Sequence, residues 1–196
     1  EGEIGKAISM ESSFGINLLT KKKFFFFTKN KKFDPNSRLF NKELGGGCIL
    51  DLGCYPSSFS LLIASVLENI NFKNFEILEI KKDIGETGVD IDSRAVIKFE
   101  GGFSSIIKSS FKKNIGSKSL INGEKGCIII NDTWFGGGIK KVVGDKSYEV
   151  KDEYDKKIYS YEIENISESI LKNLKEVSFP GMSLEETLLN TKILEE

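Results

Sequence analysis

The central part of the chain is dominated by short segments in which apolar and polar residues alternate. Residues 93–100 are the clearest case, because Ala95, Ile97 and Phe99 occupy every second position. A two-residue period is typical of a strand that turns one face toward a core. The same pattern predicts a strand over 3–14 and seven further strands, at about 73–82, 89–100, 103–113, 116–122, 126–131, 139–144 and 147–151.

A long apolar run precedes these strands. It follows Gly45-Gly46-Gly47 and continues to about Leu67, with its large apolar residues at helical spacing. Pro56 lies inside this run; it has no backbone N–H and disfavours helical geometry in the residue before it. The helix therefore either begins near Pro56 after a helical turn, or is kinked there.

Two helices are predicted at the end of the chain, at about 164–176 and 183–195, and the second begins with a capping box formed by Ser183 and Glu186. One helix, many consecutive strands and two final helices indicate a single α+β domain over residues 1–196. We expect a large, open, mostly antiparallel sheet with helices on one face. Residues 15–44 are expected to be irregular, with a turn at Asp34-Pro35-Asn36.

Some predicted strands carry consecutive apolar residues. Ile106 and Ile107 are adjacent, and residues 128–130 are all isoleucine. Runs of this kind indicate burial on both faces of a sheet. If helices cover one of these faces, the other must be solvated or paired, so we expect self-association through it, as a homodimer or a higher homo-oligomer.

Composition narrows the possible chemistry. The 196 residues include no His, which excludes a Ser-His-Asp triad, a His-ligated metal and a His general base. The cysteines are Cys48, Cys54 and Cys127, an odd number without a C-x-x-C pair. We therefore expect neither a metal site nor a disulfide framework, and a reducing cytoplasm fits best. The formal net charge of -1 argues against a nucleic-acid-binding protein.

No segment of the sequence is expected to reach the roughly 18 apolar residues of a membrane span. The most strongly apolar run, Phe24 to Phe27, is flanked by lysines. Such a run could bind a membrane surface or single-stranded nucleic acid. Packing of these phenylalanines into a core, with the lysines in solvent, is the preferred interpretation. The chain opens on Glu1 without the pattern of a signal peptide, and its ends suggest a fragment of a longer protein.

The glycine-rich segment also contains the most promising polar residues. Asp51 and Tyr55 are four positions apart, so a helical turn brings a carboxylate and a phenol to one face. A phenol with a pKa of about 10 exchanges protons usefully only if a nearby cation lowers that pKa. The alternative is structural: Asp51 caps a turn and Tyr55 is a half-buried core residue. Neither a P-loop nor a G-x-G-x-x-G fingerprint is present.

Four segments, in order, resemble the glucose-fructose oxidoreductase / inositol dehydrogenase / MocA superfamily. The first contains GGGCILDLGCY; the others are TGVDIDSRAVIKFEGGFSSIIKSSF, SLINGEKGCIIIND and FPGMSLEETLLNTKIL. The resemblance implies the C-terminal domain of an NAD- or NADP-dependent oxidoreductase that acts on a hydroxyl or carbonyl of a sugar, polyol or dihydrodiol. The glycine fingerprint and the Glu-Lys-Pro motif of the family's nucleotide-binding Rossmann domain do not occur in these 196 residues, so the chain resembles the second domain only.

The resemblance also implies roles for individual residues. Asp51 matches a carboxylate that orients the substrate, and Tyr55 matches the position that is His in some members and Tyr in others. Tyr55 would exchange the hydroxyl proton, with the lysine of the missing domain as the nearby cation. Arg38 lies where the family approaches the rim of the active site. The alternatives are a non-catalytic module that associates through its sheet, and a relative of the NAD-dependent glycosidases.

Overall fold

The computed structural model describes residues 2–23, 27–30, 34–150 and 159–196. Its main feature is a sheet of eight strands: β1 (Ala7–Gly15), β4 (Asn71–Ile84), β5 (Asp90–Glu100), β6 (Ser104–Ser110), β7 (Gly116–Gly123), β8 (Gly126–Asn131), β9 (Ile139–Val143) and β10 (Lys146–Val150). Their order in the sheet is β10-β9-β8-β7-β1-β6-β5-β4. All neighbours are antiparallel except β1 and β6, which are parallel. The predicted α+β class with a mostly antiparallel sheet is confirmed.

The first forty residues differ most from the predictions. The strand expected over 3–14 begins only at Ala7, because Gly2 to Gly5 form a turn closed by the Gly5 N–H and the Gly2 carbonyl. The segment expected to be irregular contains an antiparallel hairpin of β2 (Thr20–Lys23) and β3 (Phe27–Asn30). Residues 24–26, in the apolar run singled out above, lie outside the described residues, as does residue 151 at the end of the last predicted strand.

Three helices accompany the sheet in the described part of the chain: α1 (Cys54–Ser65), α2 (Ser160–Leu171) and α3 (Leu184–Glu195). A π-helical turn, Ile49–Gly53, leads directly into α1. Thus a helical turn precedes Pro56, and the helix type changes just before this proline, which cannot donate a backbone hydrogen bond. The predicted capping box at the start of α3 is present, with Glu186 N–H donating to the Ser183 hydroxyl.

One face of the sheet is covered by α1 and α3. Leu61 and Ala64 of α1 and Ile193 of α3 share a core cluster with side chains from β1, β5, β6 and β7. Fully buried serines, among them Ser57 and Ser60 of α1, lie in this helix–sheet contact. Small side chains here let the helix approach the strands closely, so α1 is held at a fixed place on the sheet.

Helix α2 begins and ends earlier than the predicted 164–176. It ends at Leu171, and two residues later Asn173 has a left-handed φ of 54°, a conformation that ends a helix. The apolar residues that suggested this helix remain exposed, with Ile170 at 68% and Leu171 at 81%. The described part of the chain therefore leaves an apolar side of α2 uncovered.

The helical stretch Lys42–Ser65 has the length and, over its most apolar window, the mean hydropathy (1.3) of a membrane span. The expectation that no segment reaches these values is therefore wrong. Half of that window is buried inside the structure, because the stretch includes α1 and the turns that pack on the sheet. A buried core helix meets the same two criteria as a membrane helix, so they do not distinguish the two.

Candidate functional site

The triple glycine forms a tight turn just before the π-helical turn Ile49–Gly53. A Cβ on Gly46 would lie 2.8 Å from the backbone oxygens of Leu39 and Asn41, so only glycine fits there without a shift of the chain. Gly47 has a φ of 126°, and a Cβ there would lie 2.3 Å from Oδ1 of Asp90. These two positions explain why the turn is built of glycine: neighbouring groups approach its backbone from both sides.

The π-helical turn after the glycines carries Asp51, and α1 begins three residues later with Cys54 and Tyr55. Arg38 approaches from the segment before the glycines, and its Nη1 donates to Oδ1 of Asp51 at 2.6 Å. The Arg38 side chain is 72% exposed, whereas that of Asp51 is 19% exposed. This ion pair therefore lies at the rim of the structure, with the carboxylate on its inner side.

Tyr55 lies among aromatic side chains. Its ring meets Phe14 of β1 edge-on, with centroids 5.2 Å apart, and the centroid of Trp134 lies 5.7 Å away. Trp134 also contacts Phe59 of α1, and Phe14 contacts Phe135. We call these five rings the aromatic cluster. Although it belongs to this cluster, Tyr55 as a whole is 45% exposed, so it is both positioned by packing and accessible.

Trp134 reaches the cluster from the loop after β8. It belongs to a short 3-10 turn, Thr133–Phe135, that follows Asp132 with its left-handed φ of 48°. The indole Nε1 donates to the carbonyl oxygen of Ser13 in β1 at 3.1 Å. Because the hydrogen bond fixes the indole on the sheet, Trp134 provides a rigid wall beside Tyr55.

A groove of about 210 Å³ opens beside Tyr55. Its walls are aromatic and apolar on the side of α1 and the Trp134 loop, and the segment leading into α3 forms the other side. The described residues that line it are Tyr55, Ser58, Phe59, Leu62, Trp134, Pro180, Met182 and Glu186. None of these described residues is a lysine or an arginine, so the groove suits an uncharged ring or a hydroxylated ligand better than a phosphate.

Burial, followed by the neighbouring Cys54 and Asp51 charges, raises the pKa of the Tyr55 phenol above its ordinary value. A phenol that accepts a proton near neutral pH needs a cation that lowers its pKa, whereas the described residues raise the pKa of Tyr55. Burial likewise raises the pKa of the Cys54 thiol, and that of the buried Cys48 thiol to about 12. All three groups therefore stay protonated at neutral pH.

The structure brings the three predicted site residues to one place. Arg38 contacts Asp51, and Tyr55 follows Asp51 by one helical turn. The sequence reasoning missed Phe14, Phe59 and Trp134, although a single tryptophan in the chain was a visible signal. Among the described residues, no group of three or more Cys, Asp or Glu side chains could hold a metal ion.

The described part of the chain is thus an open-sheet α+β domain with a carboxylate and a phenol at the start of a helix that covers the sheet. Residues 1–129 match the family model described as the GFO/IDH/MocA C-terminal domain. The chain therefore belongs to the GFO/IDH/MocA family, as the sequence resemblance indicated.

Two curated relatives are named trans-1,2-dihydrobenzene-1,2-diol dehydrogenase. The chain is 28% identical to the Xenopus tropicalis protein over 166 residues, which is 81% of this chain and 48% of that protein. It is also 28% identical to the Mus musculus protein over 159 residues, which is 77% of this chain and 45% of that protein. The chain thus spans about half the length of these relatives.

Two solved structures share the fold. Aldose-aldose oxidoreductase from Caulobacter crescentus, complexed with glycerol, matches with a TM-score of 0.76 and 17% identity, over 99% of this chain and 53% of that chain. A 3-ketoreductase from Actinomadura kijaniata, solved with NADP and TDP-benzene, matches with a TM-score of 0.71 and 15% identity, over 99% of this chain and 54% of that chain. At these identities the likeness establishes the fold alone.

Proposed function

We propose that this chain is the substrate-binding and catalytic C-terminal domain of an NAD(P)-dependent oxidoreductase. Its substrate would be a sugar, polyol or dihydrodiol that reacts at a hydroxyl or carbonyl group. The observation that carries the proposal is the placement of Asp51 one helical turn before Tyr55, which itself lines a groove with aromatic walls. The family membership and the names of the relatives support it.

Tyr55 is the proposed proton-exchanging group. Its raised pKa keeps the phenol protonated at neutral pH, which is the form that donates a proton to a substrate carbonyl oxygen. In the opposite direction the phenol oxygen must accept the hydroxyl proton, and this requires a cation that lowers its pKa. We propose that the nucleotide-binding half supplies that cation. The nicotinamide, when bound, supplies or accepts the hydride.

Asp51 is the proposed substrate-orienting group. Its Oδ1 accepts from Arg38, and Oδ2 is the oxygen that we propose accepts a hydrogen bond from a substrate hydroxyl. The charge-assisted bond from the arginine holds the carboxylate in one orientation. Because Arg38 lies at the exposed rim, it can also contact a polar part of the substrate outside the groove.

The aromatic walls of the groove indicate the kind of substrate. Flat aromatic faces such as Trp134 and Phe59 pack well on the C–H faces of a sugar ring and on a cyclic diol, while Ser58 and Glu186 offer hydrogen bonds at the edge. The described lining includes no basic residue, so the phosphates of the cofactor are proposed to bind outside this chain. Whether the cofactor is NAD or NADP is decided there.

The nucleotide-binding half is proposed to be a separate Rossmann domain of the complete protein. The chain has no glycine fingerprint, and it covers about half of its curated relatives. The uncovered apolar side of α2, with Ile163, Ile170 and Leu171, is a surface that such a domain could bury. Calorimetry of the chain alone is expected to show no tight binding of NAD or NADP; submicromolar affinity would overturn this division of roles.

The homodimer is proposed to form through the face of the sheet opposite to α1 and α3. Half-buried Leu120 and Ile129 are paired there, and half-buried Ile106 lies in the same cross-strand row on the other side of Glu11. We propose a cytoplasmic location as well. All three cysteines are free, which fits a reducing compartment.

The proposal is tested with Asp51→Asn in a protein that joins this chain to a nucleotide-binding domain. Loss of the carboxylate is expected to raise KM for a dihydrodiol or polyol about tenfold or more, with a smaller loss of kcat, because Asp51 positions the substrate. Asp92→Asn is the matched control, since Asp92 is also ion-paired, with Lys113 at 2.6 Å, but lies on the sheet. Equal effects of the two substitutions would refute the role of Asp51.

A further inference from the structure

The helical segment that carries the proposed site begins at Cys48, after the triple glycine, and has no side-chain cap at this first residue. Cys48, which precedes the π-helical turn, makes no side-chain capping hydrogen bond. A helix start leaves several backbone N–H groups without a partner inside the helix. One of these, the N–H of Ile49, donates instead to Oδ2 of Asp90, at 2.6 Å, across a sequence separation of 41 residues.

Asp90 is placed by the β4–β5 hairpin. It is the first residue of β5, where it pairs with Ile84 of β4. Its carboxylate lies against the bare Cα of Gly47, where a Cβ would approach Oδ1 to 2.3 Å. A strand therefore presents a fixed negative charge to the positive end of the helical segment, and a glycine leaves the room for it.

We propose that Asp90 is a positioning residue that caps the site-bearing helix from the sheet and thereby sets the placement of Asp51 and Tyr55. This inference rests on the proposed function, because it concerns the same site. Asp90 is not among the described residues that line the groove or form the aromatic cluster, and we assign it no part in proton transfer.

The π-helical turn makes the cap important. Turns of this type are rare and appear mostly as single turns inserted into helices, often at functional sites. Asp51 lies within the turn, and Tyr55 is the second residue of α1 behind it. If the first turn loosens, Asp51 loses its fixed distance to Arg38, and the Tyr55 ring loses its edge-on contact with Phe14.

Further hydrogen bonds connect Cys48, at the start of this helical segment, to the sheet, but they do not replace the cap. The Cys48 thiol donates to the carbonyl oxygen of Ser109 at 3.5 Å, and the Ser109 hydroxyl contacts that of Ser93 at 2.7 Å. These bonds tie the residue before the turn to β5 and β6 through side chains. None of them involves the Ile49 N–H, so we assign the capping of the turn's backbone to Asp90.

The test compares Asp90→Ala with Asp90→Asn in the chain as it is. Amide exchange followed by NMR is expected to accelerate at Ile49 by about tenfold in Asp90→Ala, the scale of a lost helix cap. In the same variant the pKa of Tyr55, measured with isotope-labelled tyrosine and assigned with Tyr55→Phe, should fall toward its ordinary value as the ring becomes less buried. Asp90→Asn keeps an acceptor oxygen and should stay near the wild-type protein in both measurements.

Gly47→Ala provides a second, independent variant. Its methyl group displaces the Asp90 carboxylate. It should therefore accelerate exchange at Ile49 and lower the pKa of Tyr55 although residue 90 is still aspartate. Gly102→Ala is the matched control, because Gly102 has a similar positive φ of 99° but nothing within 4 Å of its Cβ position. Amide exchange at Ile49 and the pKa of Tyr55 are measured on both variants after circular dichroism has shown that they are folded. A change in Gly102→Ala as large as that in Gly47→Ala would count against the proposal.

Two outcomes overturn the inference. One is a folded Asp90→Ala protein with unchanged exchange at Ile49 and an unchanged pKa of Tyr55. The other is an Asp90→Asn protein that behaves like Asp90→Ala. Because neither measurement requires turnover, they remain informative even if Tyr55→Phe proves fully active and the proposed function fails.

Discussion

The two faces of the sheet are built by the same strands but have different surroundings. On the helix-covered face, Ile97, Met10 and Ile121 lie in one cross-strand row and are almost completely buried. The row beside it on the open face joins Ile106, Glu11 and Leu120, and Glu11 is ion-paired with Lys108 at 2.7 Å. One face is a core, and the other is an apolar strip interrupted by charge.

This difference explains why consecutive isoleucines occur in the strands. Residues 128–130 place side chains on both faces, because neighbours on a strand point in opposite directions. Helices α1 and α3 account for the side chains on one face. The site lies at one end of that covered face, at the aromatic cluster, and we propose that the open face joins two copies of the chain.

The largest expected effect on stability comes from a truncation in the covered core. Phe99 is 1% exposed and its ring centroid lies 6.1 Å from those of Phe75 and Phe103. Phe99→Ala is expected to lower the free energy of unfolding by about 3–5 kcal/mol. Val96→Ala, on the open face of the same strand, should cost only about 1 kcal/mol. Urea denaturation of both variants checks the contrast, and similar losses would contradict it.

A charge placed on the open face should abolish self-association. Leu120→Lys puts an ammonium group beside Glu11. The single chain keeps this charge in solvent, but formation of the dimer would bury it against the apolar strip of the second copy, which costs desolvation energy. We expect the wild-type chain to sediment as a dimer at about tens of micromolar and this variant as a monomer with its thermal midpoint retained. Val66→Lys, at an exposed position after α1, is the control and should remain dimeric. A monomeric wild-type chain would refute the proposed interface.

A smaller effect is expected at alkaline pH. Burial raises the pKa of Cys48 from an ordinary 9.0 to about 12, so the folded chain holds this proton more tightly than the unfolded chain does. Its contribution to stability is complete below about pH 9 and is lost as the pH rises toward 12, by at most about 1.4 kcal/mol per pH unit. The thermal midpoint should fall as the pH rises across this range, and it should fall less steeply in Cys48→Ala than in the wild-type chain. An identical slope in both proteins would mean that Cys48 does not titrate as a buried thiol.

Much of the sheet could be predicted from the sequence, because alternation along each strand is a local signal. Strands β5 and β8 lie within a residue of their predicted limits, as does α3 with its Ser183 cap. The parallel pairing of β1 with β6 could not be predicted, since it joins residues about 95 positions apart, such as Met10 and Ser105. Strand order depends on packing that no single segment encodes.

The candidate site was predictable only in part. Asp51 and Tyr55 share one segment, so their spacing showed that they could act together. Trp134 and Asp90 reach the same region from distant parts of the chain, and although Trp134 is the single tryptophan, no local pattern places either residue at this site. The π-helical turn was equally hidden, because its apolar spacing does not differ from that of an ordinary helix near Pro56.

The central claim is that Tyr55 exchanges a proton with the substrate. Tyr55→Phe keeps the ring and its contacts with Phe14 and Trp134 and removes only the hydroxyl. In a protein that joins this chain to a nucleotide-binding domain, kcat for the oxidation of a dihydrodiol or polyol should fall about 10²–10⁴-fold, while the thermal midpoint and the affinity for the cofactor are unchanged. A fully active Tyr55→Phe enzyme, or one that loses stability in proportion to its activity, would contradict the account.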